Sequence, residues 1–92
     1  MKTFKDVVFK QHKVSKGSIQ GLLMLDNGIE LSIVAGSFFY STPRKDLSTP
    51  DAFSSFEVAV FDTNGNFIPT DSGDVLGWQS REDIDELIQI HS

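Results

Sequence analysis

Ninety-two residues, 39% of them hydrophobic and eight of them Phe, make one domain (1-92) with a thin core and little volume for a deep internal active site. The absence of cysteine excludes disulfides, iron–sulfur clusters and thiolate zinc sites, and suits a reducing, cytoplasmic setting. The net charge of −5 is unevenly placed: residues 1–45 carry seven Lys/Arg against three acids, whereas residues 46–92 carry one Arg against ten acids.

In chain order, residues 3–9 are rich in Phe and Val and predict a first strand. The opening Met1-Lys2-Thr3-Phe4-Lys5-Asp6 leads into no apolar run of the kind a secretory signal carries. The longest apolar run, residues 22–25, is far short of a membrane span. Residues 11–16 are polar and predict a loop, and residues 19–25 a second strand. Asp26-Asn27-Gly28 then predicts a tight hairpin with φ > 0 at both Asn27 and Gly28. Residues 29–34 follow as a third strand with Ile29, Leu31 and Ile33 on one face.

Residues 36–55 show no periodicity, and long irregular loops are commonly functional. This loop begins with Phe38, Phe39 and Tyr40, carries Pro43, Arg44 and Lys45, and ends near Pro50 and Phe53. Burial on the sheet is expected for Phe38 or Phe39 but not for all three aromatics. Phe56, Val58 and Val60 alternate as the inner face of a fourth strand over 56–61. A second Asn-Gly turn at 64–65 leads to a short fifth strand at 66–68. Trp78 is read as a core anchor ahead of a helix. That helix opens at Ser80, with Asp83 at the capping-box position and Ile84, Leu87 and Ile88 on the buried face. Glu82, Asp83, Asp85 and Glu86 are left to solvent. The fold class is therefore α+β: an antiparallel sheet of four to five strands built from hairpins, packed by one short C-terminal helix.

No catalytic or metal constellation emerges. Asp62-Thr63-Asn64-Gly65-Asn66 begins like a calcium loop, but Phe67 and Gly73 occupy the positions that need Gly and a bidentate Glu. His12 and His91 lie far apart in the chain without further ligands at suitable spacing. No Gly-x-Ser-x-Gly elbow, Walker motif or Gly-x-Gly-x-x-Gly is present. Asp71 and Asp74 sit in what reads as an exposed turn, so ordinary acids are expected there. The scattered lysines at 2, 5, 10, 13 and 16 lack the interleaved aromatics of a nucleic-acid platform and read as a defended strand edge. The expectation is a protein without enzymatic activity and without a cofactor.

Four stretches carry a resemblance: Phe9 onward into the first loop, residues 26–34, residues 56–61, and Asp74-Val75-Leu76-Gly77-Trp78 leading to residues 84–88. Their order resembles a family of small, uncharacterised accessory proteins of tailed bacteriophages, across most of the chain. The family's short Ser-Tyr-Gly connection after the third strand is replaced here by Ser37-Phe38-Phe39-Tyr40 and a longer insertion. The resemblance implies a viral protein in the cytoplasm of the host bacterial cell and transfers no catalytic residue.

The leading expectation is a binding module that inhibits or redirects a host protein, such as a host-defence protein, by stoichiometric contact. Phe39, Tyr40, Arg44 and Lys45 are its candidate contacts, with Asp83, Asp85 and Glu86 as an acidic surface. One alternative is a homo-oligomer that sequesters a small phosphorylated, nucleotide-type signalling molecule between subunits. Another is an acidic nucleic-acid mimic. No membrane partner is expected.

Overall fold

Alternating apolar residues and two Asn-Gly turns produce a five-stranded antiparallel meander in the computed structural model, which describes residues 2–70 and 73–92. The strands are β1 (Phe9–Gln11), β2 (Ile19–Met24), β3 (Glu30–Ala35), β4 (Phe56–Phe61) and β5 (Val75–Gln79), each paired with its neighbour in sequence. One helix, α1 (Arg81–His91), closes the chain. Met1, Asp71 and Ser72, and with them the reading of Asp71 as an acid, lie outside the described residues.

The helix begins as its sequence predicts. Ser80 Oγ accepts from Asp83 N, and Asp83 Oδ2 accepts from Ser80 N, completing a capping box. Removing such a cap costs about 1 kcal/mol. Ile84 and Ile88 are fully buried with Leu31, Ile33, Phe56, Val58 and Val60, while Leu87 packs at the margin. Truncating either isoleucine to Ala would cost roughly 2–5 kcal/mol, and an 11-residue helix depends on such packing.

Three sequence readings are corrected. The first strand is only Phe9–Gln11; Phe4–Asp6 is instead a 3-10 turn capped by Thr3, whose hydroxyl competes successfully for the local backbone. The fifth strand is Val75–Gln79, not 66–68. Phe67 makes a single bridge to Phe61 before Pro69, which lacks an N–H, interrupts the pairing; it resumes at Val75 opposite Ala59. Both Asn-Gly turns place only the glycine at positive φ, 89° for Gly28 and 82° for Gly65. The N–H of each glycine bonds three residues back, to Leu25 O and Asp62 O, so each connection is one residue wider than a two-residue hairpin.

The twenty-residue loop is packed onto the fold. Phe53 is 1% exposed, and Thr42 bridges to Ser55. Arg81 donates to Phe53 O and Pro50 O at 2.8 Å each and lies over the rings of Phe4 and Phe56.

The sheet face opposite the core is organised in cross-strand rows. Lys10, Gln20, Val34 and Glu57 form one row, Leu22, Ser32, Ala59 and Val75 the next, and Met24, Glu30 and Phe61 the third.

Candidate binding surface

The loop after β3 is shaped by one close approach and one carboxylate. A Cβ on Gly36 would fall 2.2 Å from Ser18 Oγ, so only glycine fits there. Asp46 Oδ1 then accepts from Ser37 N at 2.9 Å, Ser37 Oγ at 2.9 Å and Ser18 Oγ at 3.2 Å. The Ser37 amide above all, and then the two hydroxyls, hold the Asp46 carboxyl below the ordinary carboxylate range. Ser41, buried, accepts from Gly36 N at 3.2 Å and lies 3.0 Å from the Pro43 carbonyl.

These ties direct the aromatics in different directions. Phe39 is half-buried, with its ring centroid 5.4 Å from that of His12. His12 Nδ1 accepts from Val14 N and Ser15 N, so this nitrogen serves a turn. Phe38 points away and is 74% exposed. Tyr40 is carried over to β5: its N–H donates to Glu57 Oε1 at 3.2 Å, and its carbonyl accepts from Trp78 N at 2.8 Å.

At that point β5 is bulged. Phe56 pairs with Gln79 and Val58 with Leu76, so Gly77 and Trp78 together face the single Glu57. A Cβ on Gly77 would stand 2.9 Å from Tyr40 Cβ, which explains glycine at this position. Trp78 adopts φ 53°, the left-handed region that bulky side chains avoid. Its ring lies 5.0 Å from that of Tyr40, tilted by 38°, and Arg44 sits 5.3 Å over the other aromatic partner, Tyr40.

The expected core role of Trp78 is thus overturned, because its side chain is 57% exposed. The bulge turns it outward, and no periodicity in residues 74–78 signals a bulge. Gly77 next to Trp78 is the available sequence signal, since an isolated glycine in a strand often marks one.

Of the other candidates, Lys45 is exposed one residue from Arg44. The acidic set is divided. Asp83 belongs to the capping box, and Glu86 is exposed. Asp85, expected in solvent, is half-buried and accepts from Phe4 N at 2.7 Å, tying the N-terminal turn to α1. Asp62 Oδ1 accepts from Asn64 N and Asn66 N and so shapes a turn. Among the described residues, no three His, Asp or Glu side chains converge on a metal-sized site, and no helix is long and apolar enough to cross a membrane.

The Arg44–Tyr40–Trp78 stack, with Phe38 nearby in sequence, is therefore an exposed aromatic–cationic corner. Magnitudes separate a structural from a contact role. A non-glycine residue held in a sparsely populated backbone region costs about 1–3 kcal/mol. An aromatic pair returns roughly 0.5–1.5 kcal/mol and an exposed cation–π contact about 0.5–1 kcal/mol. The corner therefore contributes little net stability, and the fold does not account for a tryptophan there. Comparison with family models, curated proteins and solved structures returned no match.

Proposed function

We propose that this chain is a non-catalytic binding protein that acts by stoichiometric contact, and that its contact surface is centred on Tyr40, Trp78 and Arg44. The observation that carries the reading is Trp78 itself, held at φ 53°, 57% exposed and stacked on Tyr40. Tyr, Trp and Arg are the residue types that dominate binding energy at protein interfaces. The two arginines make the same point. Arg81 spends its guanidinium on backbone carbonyls of its own chain, whereas Arg44 offers its own beside an exposed ring.

The partner we propose is a protein. Small-molecule sites are concave and enclose most of their ligand, whereas the corner presents rings with 45% and 57% exposure. The resemblance to phage accessory proteins supports a host bacterial protein, encountered in the cytoplasm and inhibited or redirected by the contact.

Quantitative affinity capture from a bacterial lysate tests this with three baits: the wild-type chain, a Tyr40→Ala/Trp78→Ala variant and a control changed at exposed Ile90 on α1. A partner enriched in near-equimolar amount on the wild type and control, and lost from the corner variant, is the expected result. Capture unchanged by the corner substitutions would overturn the assignment.

A further inference from the structure

We infer that Asn64 is a site of spontaneous deamidation and isoaspartate formation in the folded chain, and that the fold protects the equivalent Asn27. This inference does not depend on the aromatic corner. It begins from two Asn-Gly turns with matching backbones. Gly28 and Gly65 hold φ 89° and 82°, and each donates its N–H to the carbonyl three residues back, Leu25 O and Asp62 O, at 3.0 Å. The two turns lie side by side: a Cβ on Gly28 would stand 2.8 Å from Thr63 Cγ2. Both asparagines are exposed to solvent. Sequence, backbone and solvent are thus shared, and what differs is the surroundings of the reacting groups.

The reaction is an attack by the main-chain nitrogen of the glycine on the asparagine Cγ. A new N–Cγ bond closes a five-membered succinimide, the glycine N–H proton passes to solvent, and the side-chain amide leaves as ammonia. Water then opens the ring. Addition at Cγ with cleavage of the N–Cγ bond gives Asp. Addition at the former main-chain carbonyl with cleavage of its bond to nitrogen gives isoaspartate, in which the chain runs through Cγ. The balance is one water in and one ammonia out, with no change of oxidation state. The attack needs a side chain free to swing onto the following nitrogen, and a following residue without a Cβ to crowd that nitrogen.

Asn27 does not have that freedom. Its Nδ2 donates to the carbonyl of His91, the last residue of α1, at 2.6 Å, and its Oδ1 accepts from Ile29 N at 3.1 Å. The amide thus satisfies a carbonyl that the helix end leaves open. Both bonds must break before the ring can close, which slows the reaction by roughly ten-fold. Thr63 also lies over Gly28. Asn64 has neither protection. Its side-chain amide makes no hydrogen bond among the described residues, and no atom stands within 4 Å of a Cβ position on Gly65. Isoaspartate at 64 inserts one main-chain atom between Asp62 and Asn66. Asp62 Oδ1, which accepts from Asn64 N at 2.9 Å and Asn66 N at 3.0 Å, then loses one of its donors.

Peptide mapping by mass spectrometry tests the inference on the unmodified full chain. The native protein is incubated at neutral pH, and in parallel the same chain is incubated unfolded in urea. Trypsin cuts at Arg44 and Lys45, between the two turns, so each asparagine is read in its own peptide. The mass gained when NH2 becomes OH reports conversion, and chromatography separates the Asp from the isoaspartate form. In urea the two asparagines, each followed by glycine, should convert at similar rates. In the native chain Asn64 should convert about ten-fold faster than Asn27, with isoaspartate among its products. A native ratio of the two rates no larger than the ratio in urea would overturn the inference. So would Asn64 left intact in the native chain when the unfolded chain is half converted.

Discussion

Trp78 donates its backbone N–H to the Tyr40 carbonyl at 2.8 Å, while the two rings stand 5.0 Å apart. This one pair links the long loop to the edge strand β5. It couples a backbone bond with a ring contact, so neither aromatic is free to leave without the other. The surface thereby gains a preformed platform, which reduces the ordering cost that a partner must overcome.

Gly77 is the hinge of that arrangement. Gly77→Ala introduces a methyl 2.9 Å from Tyr40 Cβ, inside contact distance. Tyr40 must shift, and the Trp78–Tyr40 bond weakens with it. A destabilisation of about 1–2 kcal/mol is expected, together with a changed Trp78 fluorescence spectrum. Urea unfolding monitored by circular dichroism and fluorescence checks both.

The two arginines should separate cleanly. Arg81→Ala leaves the Phe53 and Pro50 carbonyls without their charged donor and strips a cation from Phe4 and Phe56. A loss of roughly 2–3 kcal/mol is expected. Arg44→Ala, at an exposed position, should change stability by less than about 0.5 kcal/mol. Thermal melts of the two variants side by side read the contrast.

Asp46 predicts an acid-sensitive loop. Its folded-state pKa lies below the ordinary value because the Ser37 amide and hydroxyl bond the charged form. The stabilisation is therefore fully present above the unfolded pKa of about 4 and is lost as pH falls through the folded value. The Ser37 amide resonance should be constant from neutral pH down to about pH 5 and move only below about pH 4. Asp46→Asn should perturb that amide at neutral pH and leave no further acid step.

Much of the architecture is legible before any coordinates. The capping box at Ser80 and the strand over 56–61 are short-range patterns, set by residues within one turn or one alternation. They appear as expected. The failures are long-range. Residues 75–79 look like a lead-in to the helix because their strand partner, β4, lies more than a dozen residues upstream and the pairing is broken by Pro69. Phe4 looks like strand until the Thr3 cap and the distant Asp85 carboxylate are seen to hold it in a 3-10 turn.

The candidate surface was half legible for the same reason. Tyr40 and Arg44 stand close in sequence and meet in space. Trp78 joins them only through a bulge, and burial is the usual fate of a lone tryptophan. Asp46 carries no motif at all. Its role depends on Ser18, which lies 28 residues earlier and reaches it only once the sheet has formed.

The most direct test of the account is the unfolding free energy of Trp78→Gly. Glycine relieves the strain of φ 53° and loses an exposed ring pair, so these effects largely cancel. The account predicts stability within about 1 kcal/mol of wild type, with capture of the partner abolished. A loss of roughly 3 kcal/mol or more would contradict it, because a tryptophan of that worth belongs to the core rather than to a contact surface.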